Sequence, residues 1–72
     1  MAGNTFKMAK LVGESSDGIE AAVLEALGTS ADNVDGQTWA HITDLRANIN
    51  DRGGVDRWQV TVEVAYKVQP AN

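Results

Sequence analysis

Residues 58–69 read WQVTVEVAYKVQ. Trp58, Val60, Val62, Val64, Tyr66 and Val68 take every second position, and Gln59, Thr61, Glu63, Ala65, Lys67 and Gln69 fill the gaps. Alternation of this length is the mark of a β-strand with one buried face and one open face. Immediately upstream, residues 38–50 (TWAHITDLRANIN) form a second long strand. The intervening Asp51-Arg52-Gly53-Gly54 is a hairpin loop, which makes the two strands antiparallel neighbours.

The first half of the chain supplies one more strand and one helix. Residues 5–13 (TFKMAKLVG) are a strand with Phe6, Met8 and Val12 on one face, interrupted by Lys10, and Lys7 and Leu11 on the other. Gly13 reads as a break. Ser15, Ser16 and Asp17 can cap a helix start, and Asp17 with Glu20 makes an acidic first turn. Ile19, Ala22, Val23, Ala26 and Leu27 then fall on one apolar helical stripe, which Ser30 and Val34 would continue. Gly28 costs about 1 kcal/mol relative to Ala inside a helix, so the helix ends there or frays through residues 29–33. Asp35-Gly36 is a turn signal, and Pro70 follows the last strand, where a missing amide donor does no harm. The expected fold is α+β: β-α-β-β order, with a three-stranded antiparallel curved sheet wrapped around one helix, and residues 1–72 as a single domain.

Composition narrows the function. A domain of 72 residues buries only roughly 60% of its unfolded surface and is marginal alone. The chain has no cysteine and one histidine, His41, which argues against disulfides, thiolate metal sites and a single-chain zinc site. Association with other copies is the remaining support, and the open sheet face and free strand edges invite it. A formal charge of −4 argues against nucleic-acid binding. No segment is long enough to cross a bilayer, and no apolar N-terminal run reads as a signal peptide, so a cytoplasmic protein is expected.

No nucleophile–base set, phosphate loop or paired histidine ligands stand out, so the expectation is a protein that is not an enzyme, with no catalytic residues and no metal ligands. Trp39 is the exception to the core pattern: a large apolar side chain among Thr, His, Asp and Arg, which needs a second subunit or a flat ligand against it. On the residues alone, His41 is a solvent-facing strand residue or a ligand contact. Arg46 is a surface salt-bridge partner or an anion anchor, and Gln59 an ordinary outward residue or a polar contact. Together, an aromatic plane, a carboxamide and a guanidinium on adjacent strands suit a flat heterocycle with donors, acceptors and a phosphate.

These residues resemble the dodecin family of small flavin-binding proteins. The resemblance covers nearly the whole chain and rests on LVGESSDG (residues 11–18) opening a helix, Trp39 beginning a strand, Arg46 seven residues later, and WQVTVEVAYKV (residues 58–68). It implies a hollow homo-dodecamer in which flavin rings stack between symmetry-related tryptophans, here Trp39. It also implies a glutamine, here Gln59, bonding the ring's polar edge. Arg46 and Lys67 match basic positions that hold phosphate in some members, and His41 lies beside the stacking position. The implied cofactor is a flavin (FMN, riboflavin or FAD), with coenzyme A as a further ligand in certain bacterial members. The implied role is flavin storage and protection from photochemistry, without turnover. The chain departs from the family's Trp-Phe-Glu-Val and Arg-Gly with Trp39-Ala40-His41-Ile42 and Arg46-Ala47, which bears on ligand choice and affinity. Two alternatives stand beside this reading: an oligomeric shell or scaffold that holds no flavin, and a small enzyme using His41 at a subunit interface.

Overall fold

A computed structural model describes residues 3–28 and 36–68. The elements run β1 (Phe6–Ser15), α1 (Ile19–Gly28), β2 (Gln37–Ile49) and β3 (Val55–Lys67). The three strands form one antiparallel sheet in the order β1-β3-β2. The strand with the cleanest alternation is therefore the central one, hydrogen-bonded on both sides. The expected β-α-β-β order and antiparallel sheet are both present. Ser30, Val34, the fray through residues 29–33, Asp35, Gln69 and Pro70 lie outside the described residues.

Helix α1 lies over β1 and β3. Ala22 and Ala26 from the helix and Val60, Val62 and Val64 from β3 are fully buried, with Leu11, Val23, Leu27, Trp58 and Tyr66 packed around them. Small helix residues against β-branched strand residues allow a close approach, and Gly13 allows it to be closer still. A Cβ at Gly13 would stand 2.5 Å from the Ala26 amide nitrogen and 2.8 Å from the Ala26 Cβ, and would overlap the Ala22 carbonyl oxygen. Gly13 is thus no break. It lies inside β1, opposite Val60, and the strand continues to Ser15 opposite Trp58.

The helix start also differs from expectation. The first helical bond runs from the Ala22 amide to the Gly18 carbonyl, 3.0 Å. Gly18, at φ +126°, is the residue that turns the chain into the helix. Ser15 instead closes the preceding turn, its hydroxyl oxygen accepting from the Asp17 amide at 3.0 Å. At the other hairpin, the Asn50 carboxamide oxygen accepts from the amides of Arg52 (2.9 Å) and Gly54 (3.0 Å), which shapes the loop between β2 and β3. β3 begins at Val55, three residues before the alternation becomes visible, because the ladder shifts register between Asn48 and Ile49.

Register fixes which side chains share a face. Leu11, Gly13, Val60 and Val62 lie on the helix side. Phe6, Met8 and Val12 pair with Lys67, Ala65 and Thr61 on the opposite, open face. The apolar set of β1 thus looks away from the helix, and Leu11 is the residue that enters the core. β2 carries two bulges, at Thr38 and Thr43. Both extra residues are threonines whose hydroxyls donate to β3 carbonyls, Ala65 at 3.0 Å and Thr61 at 3.3 Å. The side chain thereby replaces the ladder bond that a bulge interrupts.

Candidate functional site

Strand β2 carries three of the five candidate residues, and its bulge at Thr43 puts them on one surface. Trp39 and Arg46 are seven residues apart, a spacing that sends side chains to opposite faces of a regular strand. With Thr43 unpaired in the ladder, Trp39 pairs with Ala65, His41 with Glu63, Asp44 with Thr61 and Arg46 with Gln59. All four β3 partners are odd-numbered, so Trp39, His41, Arg46, Gln59 and Lys67 share the open face, away from the helix.

Trp39 stands at one end of that face, 51% exposed. The Phe6 ring lies beside it, centroids 6.3 Å apart and planes tilted by 53°. Ala65, fully buried although it is on the open face, sits between Met8 on β1 and Trp39 on β2. Lys67 is two residues further along β3, opposite Phe6. The result is an aromatic and aliphatic platform with one cation at its margin. At the edge of β2, a cleft of about 210 Å³ opens against Trp39 and Ala40, with Leu27 and Val64 as its apolar walls. Gln37, at its polar side, donates to the Tyr66 hydroxyl at 3.3 Å.

Gln59 and Arg46 stand at the other end, directly opposite each other. Gln59 Nε2 donates to Glu14 Oε2 at 3.3 Å. Arg46 Nε donates to Asp44 Oδ2 at 2.7 Å, in a pair whose side chains are 69% and 46% exposed. Glu14 Oε1 faces Arg57 Nη1 at 3.6 Å. His41 lies between the two ends, across from Glu63.

The structure brings Trp39 together with Lys67 and Phe6, and Gln59 together with Arg46. It does not bring the two groups together. Ala65, the register partner of Trp39, is six residues from Gln59 along β3, a span of about 20 Å in extended strand. A single flat ring on Trp39 cannot also reach Gln59 of the same chain. Phe6, Glu14 and Asp44 belong to this surface as well. Phe6 and Glu14 gave no sign in the sequence, because their partners Trp39, Gln59 and Arg57 come from distant strands. Asp44, two residues from Arg46 and so on its face in any strand, reads from the sequence as a solvated or paired charge. Among the described residues, no group of three or more His, Asp or Glu side chains is arranged to hold a metal ion. No helix among them is long and apolar enough to cross a membrane.

Comparison with known proteins agrees with this architecture along the chain. The dodecin family model matches residues 5–69. Dodecin from Thermus thermophilus is 31% identical over 67 residues, covering 93% of this chain and 96% of that protein. A crystal structure of a variant of that dodecin superposes with a TM-score of 0.82 at 30% identity, covering 96% of this chain and 100% of the other. The dodecin from Streptomyces coelicolor gives a TM-score of 0.81 at 28% identity, over 99% of this chain and 100% of that one. The chain therefore belongs to the dodecin family, a family of small homo-oligomeric binding proteins.

Proposed function

We propose that the protein is a hollow homo-dodecamer that stores and buffers flavin and shields it from photochemistry, without turnover, with the flavin ring stacked on Trp39 at the interface between copies. The observation that carries this reading is the half-exposed Trp39 indole, set on an open sheet face beside Phe6 and over the small Ala65. An exposed indole on an apolar platform gains from covering by an aromatic plane, about 0.5–1.5 kcal/mol per aromatic contact beyond the area removed from water.

The separation of Trp39 from Gln59 supports an interface site. If one ring meets both residue types, they come from different copies. Gln59 supplies a donor and an acceptor for the ring's polar edge. Lys67 is the cation beside the stacking platform, and Arg46 the cation beside Gln59, so both are candidates for a ribityl phosphate; His41 lines the face between them. Bound flavin supplies a redox-active, light-absorbing ring, and the chain's part is to hold it, cover it from water and set an indole against it. Coenzyme A is a second ligand to test on the same basic positions.

The test is co-elution. The protein is mixed with riboflavin, FMN and, separately, coenzyme A, then passed through a sizing column. The flavin absorbance bands should travel with a species of about twelve times the 7.7 kDa chain mass. A large assembly that carries no flavin from either riboflavin or FMN would favour the empty-shell reading instead.

A further inference from the structure

Gln59 has neighbours of opposite hydrogen-bonding character on its two sides. On β1 its register partner is Glu14, and on β2 it is Arg46. A carboxylate can only accept hydrogen bonds, and a guanidinium can only donate them. A carboxamide placed between the two has one favourable orientation, with its NH2 toward β1 and its carbonyl oxygen toward β2. The observed contact agrees: Gln59 Nε2 donates to Glu14 Oε2 at 3.3 Å. Glu14 is itself held from behind, its Oε1 at 3.6 Å from Arg57 Nη1. Arg57 and Gln59 are two residues apart on β3, so Arg57, Glu14 and Gln59 share the open face.

We propose that Glu14 is a positioning residue that sets the donor–acceptor order which Gln59 presents to a bound ring. The inference rests on the flavin reading above and deepens it. The polar edge of an isoalloxazine is carbonyl, N–H, carbonyl. A carboxamide pairs with the N–H through its oxygen and with one of the two carbonyls through its NH2. Which carbonyl it takes depends on which way the amide points. A free amide accommodates either; an amide whose NH2 is held by Glu14, with the Arg46 guanidinium and no acceptor at its register position on the other strand, accommodates one. Glu14 thus selects a single in-plane orientation of the ring, and it disfavours rings whose edge lacks the central N–H.

A double-mutant cycle on the assembled protein tests this, with riboflavin as the probe because it has no phosphate to engage Arg46, Lys67 or the Arg57 that loss of Glu14 sets free. Gln59→Ala, Glu14→Ala and the double variant are compared with the parent by fluorescence titration. Glu14→Ala alone should weaken riboflavin about three- to tenfold, the size of one net hydrogen bond. In the Gln59→Ala background the same change should have no effect on affinity, because Glu14 acts only through Gln59. The preference of the parent for riboflavin over N3-methylriboflavin should also shrink in Glu14→Ala, since the released amide can turn its NH2 toward a carbonyl. A native mass of each variant equal to the parent's guards against a trivial loss of assembly. Additive losses in the cycle, or an unchanged preference against the N3-methyl ring, overturn the role of Glu14 while leaving the flavin reading intact. A parent that binds no riboflavin overturns both.

Discussion

At the residue scale, the two tryptophans are told apart by the face on which each falls. Trp58 ends the alternating row of β3 and packs against the helix-side core. It is only partly buried, so Trp58→Ala should cost about 2–3 kcal/mol, below the range for a fully enclosed aromatic. A denaturant melt measures it, and a loss under about 0.5 kcal/mol would place Trp58 outside the core. Arg46 carries a second prediction. Its guanidinium is engaged by Asp44 at 2.7 Å, which competes with any phosphate. Arg46→Ala should weaken FMN more than riboflavin. Asp44→Asn should do the reverse, tightening FMN by about two- to fivefold with riboflavin unmoved, the scale of one exposed ion pair. Equal changes for the two ligands in paired titrations would remove Arg46 from the phosphate site.

At the scale of elements, β3 was legible because its valines occupy a single face without interruption. The helix was legible from its stripe, and the hairpin from Asp51-Arg52-Gly53-Gly54. The orientation of β1 was not. Its larger apolar residues, Phe6 and Met8, lie on the open face, and the helix side is decided by Gly13, whose role is the absence of a side chain. Nor was the bulge at Thr43 legible, since a threonine in a strand carries no local sign that the ladder will skip it. That bulge is what converts a seven-residue spacing into a shared face for Trp39 and Arg46. The distance between Trp39 and Gln59 was within reach of the sequence, because a hairpin closing at residues 51–54 sets Trp39 opposite the far end of β3 from Gln59. Gly13→Ala tests the close approach of helix and strand. Gly13 is paired with Val60 and faces helix backbone, so neither side can yield cheaply. The substitution should cost about 1–3 kcal/mol by overpacking, read as a lowered thermal midpoint; an unchanged midpoint would mean the helix sits further from β1.

At the scale of the whole molecule, one chain is an incomplete unit. Its radius of gyration is 15.2 Å, against about 11 Å for a compact domain of this length. The helix-side residues Ile42 and Leu45 of β2 stay 45% and 48% exposed, and Trp39 and Met8 are comparably open on the other face. Both surfaces of the sheet therefore offer apolar area to further copies. Leu45→Asp puts a charge into the row that the helix leaves open. It should lower the native mass from that of the proposed dodecamer to small oligomers, and an intact assembly would show that this row does not face a neighbour. The proposed flavin site would depend on that assembly, since no single chain can bring Trp39 and Gln59 to one ring. The most direct measurement is a riboflavin fluorescence titration of the parent beside Trp39→Ala, with native mass followed in parallel. The parent should quench riboflavin to saturation, and Trp39→Ala should keep the assembly yet lose most of the quenching and at least about tenfold in affinity. Quenching by Trp39→Ala equal to the parent's, or none by the parent, would contradict a flavin site built on Trp39.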